Sequence, residues 1–220
     1  QLLLGYAVIE TEGGKTLTGR KMQRFDTSTG ALSGEPRVIA ADGLAMSGGW
    51  SPVVHLASQA GGKPEWDAER QAFLPPSPTQ NWVGAGAFTG AADTETAIAE
   101  GRNAGEEATG AKASRARGAK VFAQALDPYP APYREIRAEG KAFVDFQHDV
   151  TAEDVRLAHR EGFVSVEHLK RYTTLGMATD QGKTSNMHGL AIMADARGLS
   201  IPEVGTTRFR PPYAAVSIGS

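Results

Sequence analysis

Apolar and polar positions change their period several times along the chain, and the changes divide it. Leu2 to Glu10 carries Leu, Tyr, Val and Ile with partial alternation after Gly5, which predicts a strand. Gly13-Gly14 is a two-residue hairpin signal, and Thr16 to Phe25 alternates as the return strand. After an Asp26-Thr-Ser-Thr-Gly30 turn, Arg37 to Met46 contains Val38, Ile39, Ala40 and Ala41, a run apolar enough for a strand buried on both faces. Ser47-Gly-Gly-Trp-Ser-Pro52 then leads into a short helix over Val53 to Ala57, with His55 expected to pack beside Trp50. Between Gly61-Gly62 and Pro75-Pro76, Trp66 and Phe73 flank a second small hairpin.

Helical spacing takes over in the second half. A helix is predicted from about Ala91 to Ala108, with Ala97, Ala104 and Ala108 as a small-residue face against a sheet. Thr109 to Lys120 is small, basic and aperiodic, and Asp127-Pro-Tyr-Pro-Ala-Pro-Tyr133 is extended because proline fixes φ and restricts its predecessor. Beyond it, Thr151-Ala-Glu-Asp154 reads as a capping box, with Val155 and Ala158 inward and Gly162 as the stop. Ser165 opens a helix whose Val166, Leu169 and Thr173 share a face. Met187, Leu190, Ala191 and Ala194 form the core stripe of a third helix, ended by Gly198 and kept from continuing by Pro202. The tail through Arg208, Arg210 and Pro211-Pro212 reads as extended and polar.

Composition narrows the function classes. A net charge of −2 gives no reason to expect nucleic acid or an anionic membrane. The absence of cysteine removes disulfides, thiolate metal sites and cysteine nucleophiles, and fits a cytoplasmic setting. No apolar run approaches the roughly 20 residues of a membrane span. His148, His159, His168 and His188 have no zinc-like spacing. His168 reads as a surface or interface residue.

Two stretches carry candidate chemistry. Trp82-Val-Gly-Ala-Gly-Ala-Phe-Thr-Gly90 precedes a helix with glycines spaced Gly-x-Gly-x-x-x-Gly, one residue longer than the dinucleotide fingerprint. It reads equally as a plain turn or as a phosphate-approaching turn, since small residues and helix amino-end N–H groups suit an anion. Gly182-Lys183-Thr184 misses the P-loop spacing by one, its leading glycine being Gly176 rather than residue 177. Lys183, Thr184, Ser185 and Asn186 open a helix, where an anion site and a plain helix cap by Thr184 or Ser185 are both open readings.

Several blocks resemble the alpha subunit of heterotetrameric sarcosine oxidase. They are Ala45-Met-Ser-Gly-Gly-Trp-Ser-Pro-Val-Val-His55, Phe143-Val-Asp-Phe-Gln-His-Asp-Val-Thr151, Glu161 through Tyr172, Gly176-Met-Ala-Thr-Asp-Gln-Gly-Lys-Thr-Ser-Asn186 and Val204 through Tyr213. The later stretch is also similar to the iron–sulfur domain of bacterioferritin-associated ferredoxin, whose four cysteines fall at Asp145, Gln147, Asp180 and Ser185 here. Thiolates hold such clusters, so the resemblance implies that fold without an iron–sulfur cluster.

The expected fold class is α/β: the C-terminal part of a flavoprotein-like sheet with two dinucleotide-binding domains and hairpin insertions, plus a small helical ferredoxin-associated-type domain. The expected divisions are 1–110 for the end of the NAD domain, 111–140 for a linker, 141–200 for the helical domain and 201–220 for an extended connection. On the family's pattern the chain is an internal piece, with a first nucleotide fingerprint before Gln1 and a folate-binding aminomethyltransferase-like domain after Ser220.

The resemblance implies oxidative demethylation of sarcosine with one-carbon transfer to tetrahydrofolate, in a complex with beta, gamma and delta subunits. FAD resides in beta, and FMN is shared between alpha and beta. It places NAD at Gly84, Gly86, Ala87, Ala92 and Thr94, and the alpha face of the FMN phosphate site at Lys170, Arg171, Lys183, Thr184, Ser185 and Asn186. No catalytic residue is expected in this stretch. A related amine or imino-acid dehydrogenase subunit and a non-catalytic assembly module are the alternatives.

Overall fold

The computed structural model describes residues 2–47, 50–110, 133, 135–136 and 140–219. The expected linker at 111–140 falls almost wholly outside the described residues, as do Gly48 and Gly49. The fold mixes sheets and helices, as expected of α/β composition, but every strand pairing among the described residues is antiparallel.

Strands β1 (Tyr6–Gly13), β2 (Leu17–Phe25) and β3 (Leu32–Ala40) form a three-stranded meander in that order. Gly13 pairs with Leu17, so the first turn spans three residues rather than the two that Gly13-Gly14 signals. The second turn is closed by the Asp26 carboxylate, which accepts from the Ser28 N–H at 2.8 Å and its hydroxyl at 2.6 Å. β3 is not the doubly buried strand its apolar run predicts. Val38 is 57% exposed, because no described layer covers either face of the meander. An apolar run shows that a strand is able to be buried, not which layer will do it.

Helix α1 (His55–Gln59) follows, then strands β4 (Glu65–Asp67) and β5 (Ala72–Leu74). In that hairpin Trp66 faces Phe73 in register, with edge-on rings 5.1 Å apart, the pairing the two aromatics imply. A single 3-10 turn (Gly86–Thr89) precedes helix α2 (Thr94–Thr109), which has no buried residue. Ala97, Ala104 and Ala108 therefore do not pack on a sheet. Ala97 instead faces the 3-10 turn at Gly86.

The remaining elements enclose the core. Strands β6 (Phe143–Asp145) and β7 (Val150–Thr151) pair, and helices α3 (Ala152–Arg160), α4 (Val166–Thr173), α5 (Asn186–Arg197) and α6 (Ile201–Val204) follow. Thr151 and Asp154 form the full capping box at the start of α3. α3 packs against α4 and α5, and α5 against α6. Pro202 does more than block continuation: it lies in the first turn of α6, where its missing N–H costs nothing, and Ser200 with Glu203 caps that turn.

Val155, Ala158, Leu169, Leu190, Met193 and Ala194 are buried in one cluster, and Phe73 of the β4–β5 hairpin belongs to it. The hairpin is thus built into the same core as the helices. α5 buries Ile192 and Met193 beside the expected stripe, since α3 and α6 cover it from two sides. Among the described residues no helix is long and apolar enough to cross a membrane.

Met193→Ala, which empties a fully buried site, is expected to cost about 2–5 kcal/mol in urea unfolding. Val38→Ala on the open sheet should stay within about 0.5 kcal/mol. Equal effects at both positions would contradict this placement of the core.

Candidate functional site

The loop joining α4 to α5 is organised by a carboxylate. Asp145, at the end of β6, is 2% exposed. Its Oδ1 accepts the N–H of Gln147 at 2.9 Å and of His148 at 3.3 Å, closing the β6–β7 turn. Its Oδ2 accepts the Gly176 N–H at 2.9 Å and the Ser185 hydroxyl at 3.4 Å. One side chain therefore ties a strand, the start of the loop and the start of α5. The other two residues that the ferredoxin resemblance aligns with cysteines are also engaged. Gln147 accepts from the Thr179 hydroxyl at 2.8 Å, and Asp180 accepts from the Gly182 N–H, the Thr184 N–H and, at 2.6 Å, the Thr184 hydroxyl. Burial pushes Asp180 up, but the Thr184 and Gly182 hydrogen bonds and the Lys183 charge outweigh it and hold the carboxyl below its usual value.

Asn186 completes the packing. Gly176 and Gly182 both have positive φ, and a Cβ on either would come within 2.3–2.4 Å of the Asn186 carboxamide. These glycines are required by close approach to a side chain of their own loop. Neither Thr184 nor Ser185 caps α5 by side chain, because both hydroxyls are spent on Asp180 and Asp145. Ser185 and Asn186 are buried, so of the four expected residues at 183–186 only Lys183 and Thr184 reach the surface.

The cations gather beside the loop. Lys170 is half-buried on α4, and its ammonium has no hydrogen-bond acceptor among the described residues. Burial lowers its pKa first; Glu167 opposes this, while Arg210 and Arg171 add to it. Arg171 pairs with Glu167 at 3.5 Å and is 55% exposed. Lys183 donates to the Asp180 and Tyr213 carbonyls at 3.2 and 2.7 Å. Glu167 faces both Lys170 and Arg171, and the exposed Arg210 adds a third positive charge beside Lys170. That surplus suits a dianion such as a phosphate monoester. Arg210 lies in the tail that the sequence reads as extended and polar, where no local signal turns it back toward α4.

His55, 5% exposed, lies against this group. Its Nε2 is 2.9 Å from the Gln181 carbonyl, so that nitrogen carries the proton. Its ring lies on Phe209, with centroids 3.8 Å apart, and Trp50 is 81% exposed and plays no part in its packing. Burial lowers the His55 pKa first; the Gln181 bond and Asp180 oppose, and Lys183 and Lys170 reinforce.

The other expected turn has a different character. The Gly86 N–H donates to Glu100 at 2.8 Å, and the Thr89 hydroxyl donates to the same carboxylate at 2.5 Å. Asp93 caps α2, accepting from the Thr96 N–H at 2.8 Å. Two carboxylates thus occupy the donors a pyrophosphate would need, and no strand runs into the turn, since residues 75–85 after β5 are irregular. Gly84 is required because a Cβ there would meet the Phe88 ring at 2.4 Å, while Ala87, Ala92 and Thr94 are exposed. Among the described residues no group of three His, Asp or Glu is placed to hold a metal ion.

Residues 139–220 match the sarcosine oxidase A3 domain. Over 217 residues, 97% of this chain, the sequence is 42% identical to the sarcosine oxidase subunit alpha of Rhizobium meliloti (strain 1021). It is 37% identical to the subunit alpha of Corynebacterium sp. (strain P-1) over the whole chain, and 40% to that of strain U-96 over 85% of it. The resemblance read from the motifs therefore holds across the chain, which spans 20–24% of the length of these relatives. In fold, it is similar to L-proline dehydrogenase from P. horikoshii, with a TM-score of 0.63 at 19% identity, covering 96% of this chain and 43% of that one.

Asp145→Ala strands the Gly176 and Gln147 amides and should cost about 1–3 kcal/mol for each donor left unmet in the interior, read in urea unfolding. An Asp145 variant as stable as the parent would remove the carboxylate from this role. For His55 the folded pKa lies below the ordinary 6.5. Below that pH the unfolded chain gains a proton that the folded one resists, so stability falls as pH drops from about 6.5 toward the depressed folded value. His55→Phe should flatten that part of the pH–stability curve, and a curve of unchanged shape would refute it.

Proposed function

We propose that the chain is part of the alpha subunit of a multi-subunit oxidoreductase acting on CH–NH donors. The reaction is oxidative demethylation of sarcosine to glycine, with the one-carbon unit passed to tetrahydrofolate. The similarity to sarcosine oxidase alpha subunits across nearly the whole chain carries this reading. The helical part is, on this proposal, a relative of the ferredoxin-associated fold in which Asp145 and its hydrogen bonds hold the loop that thiolates and a cluster hold elsewhere.

The role proposed for this stretch is to bind and orient rather than to react. Lys170, Arg171 and Arg210 form the alpha face of a site for the FMN phosphate, and Lys183 braces its rim. The surplus of positive charge and the unsatisfied Lys170 ammonium fit a phosphate there. Thr184, Ser185 and Asn186, expected to line the site, instead build the loop that supports it. When bound, FMN supplies a two-electron acceptor, and its covalent attachment and the substrate site belong to the partner subunit on this proposal. The Gly84–Thr94 turn does not fit the pyrophosphate of NAD, since Glu100 and Asp93 already occupy its donors. No step is assigned to NAD here.

A subunit of a related imino-acid dehydrogenase is the second reading, favoured by the fold likeness to L-proline dehydrogenase. Turnover of the full-length complex on sarcosine against proline separates the two.

The flavin reading is tested on that complex prepared without flavin, by counting the FMN held noncovalently per complex after gel filtration, before its covalent link forms. Lys170→Ala combined with Arg171→Ala should lower retention at least tenfold, since hydrogen bonds to charged groups contribute about 1.5–3 kcal/mol. Thr184→Ala should leave retention as it was. Full retention in the double variant would sink the phosphate assignment.

A further inference from the structure

The segment after α6 folds back over the site, held at successive residues. Thr207 is buried. The Arg208 N–H donates to the Glu167 carboxylate of α4 at 2.5 Å. The Phe209 ring lies on His55 with centroids 3.8 Å apart at 33°. The Tyr213 carbonyl accepts from Lys183 at 2.7 Å, and that ammonium lies 4.4 Å from the Tyr213 ring centre. Between these anchors Phe209 turns inward while Arg208 and Arg210 stay exposed, the alternation of an extended backbone. Arg210 thereby lies near enough to Lys170 for their charges to interact.

His55 belongs to α1, far away in sequence, and supplies none of the site's positive charge. Yet it touches both segments that bring charge there: its ring seats Phe209 beside Arg210, and its Nε2–H holds the Gln181 carbonyl two residues before Lys183. Gln181 has φ +53°, a conformation that favours glycine, so this peptide needs an outside hold.

We infer that His55 is a positioning residue for the anion site, clamping the 206–213 strap and the 178–186 loop so that Arg210 is held beside Lys170 and Lys183 stays at the rim. The inference rests on the phosphate reading above. Like charges brought together repel, and a fixed seat for Phe209 holds the guanidinium there before any ligand arrives. A ligand then meets ordered donors and loses less entropy on binding.

The test uses the full-length protein in its complex prepared without flavin, with FMN as probe and retention counted before its covalent link forms. His55→Ala should weaken FMN retention about three- to tenfold, the effect of leaving one or two charged side chains to be ordered by the ligand. His55→Phe keeps the aromatic seat and should restore most of the loss, which also guards against an alanine variant that misfolds. In an Arg210→Ala background, His55→Ala should add little, because the cation it positions is already gone. An undiminished additional loss in that background would overturn the inference. Amide hydrogen exchange over 206–213 reads the clamp without any ligand: it should accelerate in His55→Ala and return toward the parent in His55→Phe. Unchanged exchange in His55→Ala overturns the clamp even where Arg210 proves irrelevant to FMN, whereas faster exchange with full FMN retention in the Lys170 and Arg171 double variant supports the clamp and rejects only the phosphate reading.

Discussion

Taking a carboxylate out of water costs several kcal/mol unless its lone pairs are met by donors, and at Asp145 they are met from three directions. The Gln147 and His148 amides close the turn on one oxygen, and the Gly176 amide and Ser185 hydroxyl converge on the other. None of these donors is interchangeable with solvent once the loop closes. The loop conformation and the charge burial therefore depend on each other. Gly176 and Gly182 can then approach Asn186, Leu175 packs on α5 at Gly189, and α4 and α5 take their places over Met193.

A polar centre of this kind changes what the loop's conspicuous residues are for. Thr184, Ser185 and Asn186 have the composition of an anion-binding helix start, but each polar side chain is engaged within the loop, on Asp180, on Asp145 or against the two glycines. The charge that is left over resides on α4 and on the tail. There Lys170 and Arg171 face the Glu167 carboxylate with Arg210 beside Lys170, and Lys183 is held by two carbonyls. The loop is scaffold, and the cations beside it are the surface a ligand would meet.

The two halves of the chain are joined by a few long-range contacts. Phe73 enters the helical core, and His55 reaches Gln181 and Phe209. A division at residues 110–140 follows the change in composition, while the packing crosses it. The open meander β1–β3 contributes nothing to that core, which makes it the part of the fold whose stability must come from its own ladder or from a covering layer.

Local chemistry settled the local elements. Thr151 and Asp154 determined a helix start, Gly198 a helix end, and Trp66 with Phe73 a hairpin, because each acts over a few residues where φ/ψ preference and nearest hydrogen bonds dominate. The motifs likewise carried the similarity to sarcosine oxidase alpha subunits. Tertiary structure alone decided that Val38 lies on an open sheet, that Glu100 and Asp93 fill the donors of the glycine turn, and that Phe209 returns to His55 and brings Arg210 to Lys170. In each of these cases the deciding partner lies outside the local window or on another element. A side chain's type states what it is able to bond, and only the folded arrangement settles which partner reaches it first.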